Sequence, residues 1–432
     1  MKKLLTRLFI MSVFCIITFT NGFSQKTELI QLDENIYLHP AKNALELRIS
    51  RDDLLNQDLD MYPFCLQLSK LFKDDFDAYV FVRNLDGSET NLGGYASCMS
   101  NQIKGIGMPI YTDNGFASKT RWRGYIMLTG LRFLFQGPLL HEICHLYGGA
   151  PDLGQVNVDA EGNECSTGSH WGISDVHGFL GGFDISSLSI SDNHYQATCW
   201  LAQFFNDDFN GFPMEGVSTW HFPPLELYLM GLASIDEVPD VHIYNGISNT
   251  NANQIYKDGT FSAEEVITYT QADLLEKWGE RVPNYADSPK EFAFLNVILT
   301  DVPLTDEQWE YVQGDIKKQE LQDKTGEDWP INFWEATGGR GTIKMSDIDQ
   351  SLYNNITPNE SIDVTLPSNM DIQIKDGTLS ILTSTKQTIQ VYSINGICHY
   401  NATINGSVTI PNLAPGIYIL KCQDKIYKLK MK

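Results

Sequence analysis

Residues 137–149 of this 432-residue chain read GPLLHEICHLYGG, and this segment constrains the rest of the chain most tightly. Pro138 suits the first position of a helix, where its missing N–H would have no partner. Gly148 and Gly149 supply a left-handed stop. Between them stand His141, Glu142 and His145. Residues four apart share one face of a helix, so His141 and His145 aim two imidazoles at a single point. Glu142 lies one step round and can reach a water held there. Two imidazoles beside a carboxylate form the core of a zinc-dependent hydrolase site. An apolar helix of this kind has to be buried, and the chain has to bring a third ligand to it, because three protein ligands plus water is the usual catalytic arrangement.

The chain is long enough for both demands. About 42% of its residues are apolar, which supports a sizeable core and two domains. The formal net charge of −23 argues against a sequence-independent nucleic-acid binder, which needs a basic face. Lys2, Lys3 and Arg7 precede an apolar run at 8–19, followed by small and polar residues. That is the pattern of a signal peptide over 1–24, cleaved near Ser24-Gln25. No later run is long enough for a transmembrane segment, so the expected location is secreted or at the cell surface. Of the eight cysteines, Cys15 lies in the signal. The odd remainder leaves at least one thiol unpaired. Cys144, on the apolar side of the motif helix, is expected as a small core residue, and Cys398 with Cys422 forms a reasonable pair.

Four residues can complete the metal site. Asp152 follows His145 by seven positions, one later than the H-E-x-x-H-x-x-G-x-x-(H/D) spacing, whose third-ligand place is Pro151 here. His170 stands beside Trp171 in a glycine-flanked loop, and His177 follows. Glu226 lies on a later apolar helix, where a lone carboxylate needs a partner. The residues alone rank Asp152 and His170 close together.

Around the motif, residues 78–82 read as a buried strand. Residues 106–111 suggest another, and 125–128 a third that would border a substrate cleft. Helices are expected near 196–205 and 223–232. The acidic residues Asp74, Asp75 and Asp77 read as a solvated loop. Tyr147 and Tyr228 are possible oxyanion donors. Residues 351–365 form a polar linker. Beyond it, Asp376-Gly377, Asn395-Gly396, Asn405-Gly406 and Pro415-Gly416 punctuate short alternating strands, as in a small all-β sandwich.

Two resemblances add to this reading. DDFDAYVFV at 74–82, GIGMPIY at 105–111, GPLLHEICHLYG at 137–148, HWGISDVHGFLGGFD at 170–184, PLELYLMGLASIDEVPD at 224–240 and NFWEATGG at 332–339 resemble an uncharacterised group of secreted bacterial proteins that look like zinc metallopeptidases. The resemblance implies an α+β, zincin-like metallopeptidase domain over 25–350. It favours His170 over Asp152 as third ligand, and it places Glu226 as a carboxylate that orients a ligand histidine. The second resemblance covers 366–432. VYSINGI at 391–397, NLAPGIYILK at 412–421 and the basic end with Lys425, Lys428, Lys430 and Lys432 are similar to the C-terminal sorting domain of type IX secretion cargo in Bacteroidetes, an immunoglobulin-like sandwich. It implies type IX secretion machinery as a partner and export through the periplasm and outer membrane.

The expected function is a secreted zinc metalloendopeptidase acting on a protein or peptide substrate. Zn2+ held by His141, His145 and His170 activates a water, and Glu142 is the general base. The rival expectation is a surface-displayed adhesin or binding protein on the same fold.

Overall fold

The computed structural model describes residues 28–431 apart from 86–92, 113–119, 198–220, 252–253, 256–258, 327–329, 354–369, 376, 394–397, 415 and 423–424. The signal peptide, most of the linker and nearly all of the helix expected at 196–205 lie outside these residues. The chain divides into two compact units, with the boundary between Pro358 and Asn359.

The first unit is built on an eight-stranded mixed sheet. Its centre is Glu291–Thr300, a ten-residue apolar strand buried at every position but the first. Such a run is buried on both faces, as strands in parallel sheets are. It pairs in parallel with Leu45–Arg48 on one side and Ala78–Arg83 on the other, and with Thr342–Lys344 at its start. Ala78–Arg83 pairs in parallel with Gly124–Leu128, which pairs antiparallel with Gly94–Cys98 at the sheet's end. The unit is of mixed α/β character, with a parallel centre and antiparallel edges in its main sheet. The strand expected to border the cleft is an inner one, because Gly94–Cys98 covers its outer side. Of the strand expected at 106–111, only Tyr111 joins a strand, Tyr111–Thr112.

Side chains alternate across the sheet and define three layers. Tyr79, Phe81, Leu295 and Val297 face a layer containing Leu54, Cys65 and Leu68 from the helices Arg51–Leu55 and Tyr62–Leu71. Ala78, Val80, Val82, Ile126 and Leu128 face the helices Leu139–Leu146, Pro224–Met230 and Asp306–Glu320. Of the acidic residues before Ala78, Asp75 is exposed, as a solvated loop requires, while Asp74 and Asp77 are structural. Asp77 is buried and accepts hydrogen bonds from Arg121 and from the Ala293 N–H. Asp74 accepts from the backbone of Arg121 and Trp122.

A second, four-stranded antiparallel sheet comprises Ser189–Ser191, His194–Gln196, Thr260–Tyr269 and Val241–Ile247. It anchors the long loop after the motif helix. Ile173 accepts from the Tyr244 N–H, and Asp175 binds both the backbone N–H and the Nδ1 of His242.

The second unit is a five-stranded antiparallel sheet. Thr378–Ser393 is its spine, flanked on one side by Cys398–Ile410 and on the other by Met370–Lys375 and Gly416–Cys422, with Lys425–Met431 beyond. Leu379, Ile381, Ile389, Val391 and Leu420 form its core. Asn405-Gly406 is not a hairpin turn. It runs inside Cys398–Ile410, where the register shifts opposite 383–387. The pairing of Cys398 with Cys422 does not occur, and both are free. They lie on opposite flanks of the spine, against Tyr392 and Ile389. Two strand spacings are about 10 Å, beyond the roughly 7 Å limit of a disulfide. Among the described residues, no helix is long and apolar enough to cross a membrane.

Candidate metal centre

The motif helix runs from Leu139 to Leu146, with Pro138 as its N-cap rather than its first helical residue. The Glu142 N–H donates to the Pro138 carbonyl at 2.9 Å and closes the first turn. Leu139, Leu140, Ile143 and Leu146 are fully buried, each supplying about 1.5–3 kcal/mol of apolar burial. At the other end the Leu146 carbonyl accepts from the buried Arg123 Nε at 2.7 Å, where a cation complements the helix dipole. Gly148 and Gly149 have φ of +105° and +62° and turn the chain out.

The chain returns to the helix through residues 166–184. The Ala150 N–H donates to Ser169, Trp171 to Leu180, and Phe183 to Ser174. These bonds bring His170 against the helix. Its Nε2 lies 3.2 Å from His141 Nε2, and His145 Nε2 lies 3.1 Å from the same atom. Candidate ligand atoms of the three residues all fall within 4.8 Å of one another.

Their tautomers decide what this cluster is for. His141 Nδ1 donates to the Phe179 carbonyl at 2.6 Å, and His170 Nδ1 donates to the Thr167 carbonyl at 2.9 Å. With Nδ1 protonated, each neutral ring presents a lone pair at Nε2. Two such lone pairs at 3.2 Å repel unless a cation lies between them. Nitrogens around a tetrahedral zinc at 2.0–2.1 Å would stand about 3.3 Å apart, so the spacing suits a metal.

The electrostatics agree. Burial, with the neighbouring histidines, holds His141 well below the usual imidazole range. Burial, with His170, brings His145 down to about 3. Burial lowers His170 as well. All three stay neutral at physiological pH, the form that binds metal. Burial pushes the Glu142 carboxyl up to about 8. A divalent cation held one residue away would pull it back down.

The other candidates lie elsewhere. Asp152 is exposed, and its Oδ1 accepts from the Gly154 N–H at 2.8 Å. His177 is outside the cluster and adopts a φ of +53°. Glu226 is fully buried, and its carboxylate accepts from Trp171 Nε1 and from the N–H groups of Phe179 and Leu180. Cys144 is a buried thiol hydrogen-bonded to Glu226, and burial keeps it well above the usual thiol range. Met230 is core. The Tyr147 hydroxyl donates to Asp77 and the Tyr228 hydroxyl to the Gly105 carbonyl, which commits both elsewhere.

Sequence reasoning missed the Phe179 and Thr167 carbonyls, since backbone acceptors carry no residue signature. The signal available was the glycine cluster at 178, 181 and 182, which marks a backbone turned tightly at close quarters. No known family description and no characterised protein matches the chain, and the chemistry therefore stands on a three-histidine cluster that could hold a metal ion.

Proposed function

We propose that this chain is an exported zinc metalloendopeptidase with a zincin-like catalytic unit. The observation that carries the reading is the convergence of His141, His145 and His170 through Nε2, with two Nδ1 atoms anchored by carbonyls, beside Glu142. Three imidazoles are a ligand set that catalytic zinc uses. Bound there, zinc would supply Lewis acidity toward a water and a scissile carbonyl. Glu142 takes a proton from the attacking water and returns it to the leaving amine. Gly94–Cys98 supports a peptide substrate. It lies beside the start of the motif helix, with a Cβ on Gly94 only 3.1 Å from the Pro138 ring. Among the described residues its outer edge has no strand partner, so an extended peptide can add there.

The test is elemental analysis of the full chain, with peptide-library digestion in the presence and absence of chelator. Glu142→Gln should retain zinc and lose hydrolysis by about 10²–10⁴-fold. Wild-type turnover in that variant would exclude the mechanism. Bound metal with no turnover in the wild type would favour the binding-protein reading. The signal-like N-terminus and the C-terminal sheet lead us to assign residues 366–432 to sorting by type IX secretion machinery. Deleting them should strand the protein in the periplasm, and unchanged surface delivery would refute that role.

A further inference from the structure

The hydrogen bonds of Glu226 lead to segments that carry or hold the three histidines. Its Oε2 accepts from the Phe179 N–H at 3.0 Å, and the Phe179 carbonyl holds His141 Nδ1 at 2.6 Å. Its Oε1 accepts from the Leu180 N–H at 2.9 Å and from Trp171 Nε1 at 3.0 Å. Trp171 follows His170, and its own N–H donates to the Leu180 carbonyl at 2.8 Å. The carboxylate also bonds the Cys144 thiol, on the helix between His141 and His145. One side chain therefore ties the ligand helix, the His170 segment and the turn that fixes the His141 tautomer.

Gly178 makes this possible. The Gly178 and Gly181 backbones bond each other at 2.9 and 3.1 Å, forming the turn that carries Phe179 and Leu180. A Cβ on Gly178 would stand 2.4 Å from Glu226 Oε1 and 2.7 Å from Oε2. The carboxylate thus occupies the space a side chain at 178 would need.

We infer that Glu226 is a positioning residue that sets His141 and His170 together as one unit, with Gly178 as the bare position that lets its carboxylate in. The inference rests on the metal reading above. It separates Glu226 from a carboxylate that merely fills the core, because it predicts that small changes at 226 and 178 alter the metal site alike. Glu226→Gln keeps the volume but turns one acceptor oxygen into an N–H donor, so at least one of the three backbone or indole N–H groups loses its partner. Gly178→Ala changes no polar group and only pushes the carboxylate aside.

The experiment titrates the metal-free full chain with Co2+ alone. It reads the visible absorption spectrum and the affinity against a competing chelator, and follows thermal unfolding of the metal-free protein separately. Glu226→Gln and Gly178→Ala should each weaken Co2+ binding by about 10–100-fold, the usual cost of losing an outer partner of a metal ligand. Both should shift the spectrum in the same direction. Trp171→Phe removes a single bond and should weaken binding less. Combined with Glu226→Gln, it should add less than its separate effect, because the two share one network. Wild-type affinity and spectrum in both Glu226→Gln and Gly178→Ala would overturn the inference, even if the unfolding temperature fell. A wild-type chain that takes up no Co2+ would instead overturn the metal reading, and this inference with it.

Discussion

The helix Leu139–Leu146 and the loop at 166–184 deliver the same chemical group by different means. The helix sets His141 and His145 on one face by spacing alone, and holds them there by burying Leu139, Leu140, Ile143 and Leu146. The loop has no regular spacing to rely on. His170 reaches the cluster because Thr167 fixes its ring, Ser169 bonds Ala150, and Trp171 bonds Leu180 and Glu226. An apolar layer tolerates the loss of any one contact, whereas a chain of hydrogen bonds does not. The loop half of the site is therefore expected to be the more easily perturbed.

The largest effect that tests this contrast is loss of a ligand. His141→Ala should abolish stable Co2+ or Zn2+ binding, because His141 Nε2 is the atom that both other rings face. His145→Ala should do the same, leaving one ligand on the helix and one on the loop. His170→Ala should lower affinity by more than about 100-fold, beyond the cost of an outer partner, yet leave residual binding on the helix pair. Equilibrium dialysis against a chelator series measures all three. Equal residual affinity in the His145→Ala and His170→Ala variants would erase the distinction between the halves.

A core substitution probes the helix's support in the opposite way. Leu140→Ala should cost about 2–5 kcal/mol of stability, read from denaturant midpoints, because Leu140 is fully buried in the layer beneath the sheet. While the protein remains folded, its Co2+ affinity should stay within a few-fold of wild type. A loss of metal affinity as large as that of Glu226→Gln would mean that the helix, too, is poised rather than fixed.

These expectations track what could be read in the sequence. His141, Glu142 and His145 were legible because a helix converts local spacing into shared direction. The third member of the histidine cluster was not, and the residues alone left Asp152 level with His170. The structure separates them by where the backbone goes: Asp152 spends its carboxylate on the Gly154 N–H at the surface, while His170 is drawn in by partners distant in the chain. The central strand Glu291–Thr300 was not singled out, although its unbroken apolar run is what a parallel core requires. Gly94–Cys98 was missed because GYASC has neither alternation nor bulk, and its strand character comes from pairing with Gly124–Leu128. In the second unit the turn signals were partly misleading. Asn405-Gly406 lies inside a strand because the long spine imposes its own register.

The smallest expected effect concerns a carboxylate on the helix side of the comparison. Asp315 lies on the buried face of Asp306–Glu320, four residues before Gln319, whose side chain donates to the Leu134 carbonyl just ahead of the motif helix. Unlike Glu226, which has several donors, Asp315 Oδ2 has no hydrogen-bond partner among the described residues. Burial pushes its carboxyl up to about 7, with Lys318 offsetting only part of that. A folded-state pKa above the unfolded one means that the native state binds the proton more tightly. The ionised group then costs nothing below about pH 4, costs progressively more as pH rises toward 7, and costs its full amount above that. Asp315→Asn, close in shape to the protonated acid, should match wild-type stability near pH 4.5. It should exceed wild type by something on the order of 2 kcal/mol at pH 8, below the full conversion because some water reaches the group. Denaturant midpoints of variant and wild type, compared from pH 4.5 to 8, check this. A gap that stays constant across that range would show that Asp315 is held by its surroundings after all, and that both carboxylates are built into the fold in the same way.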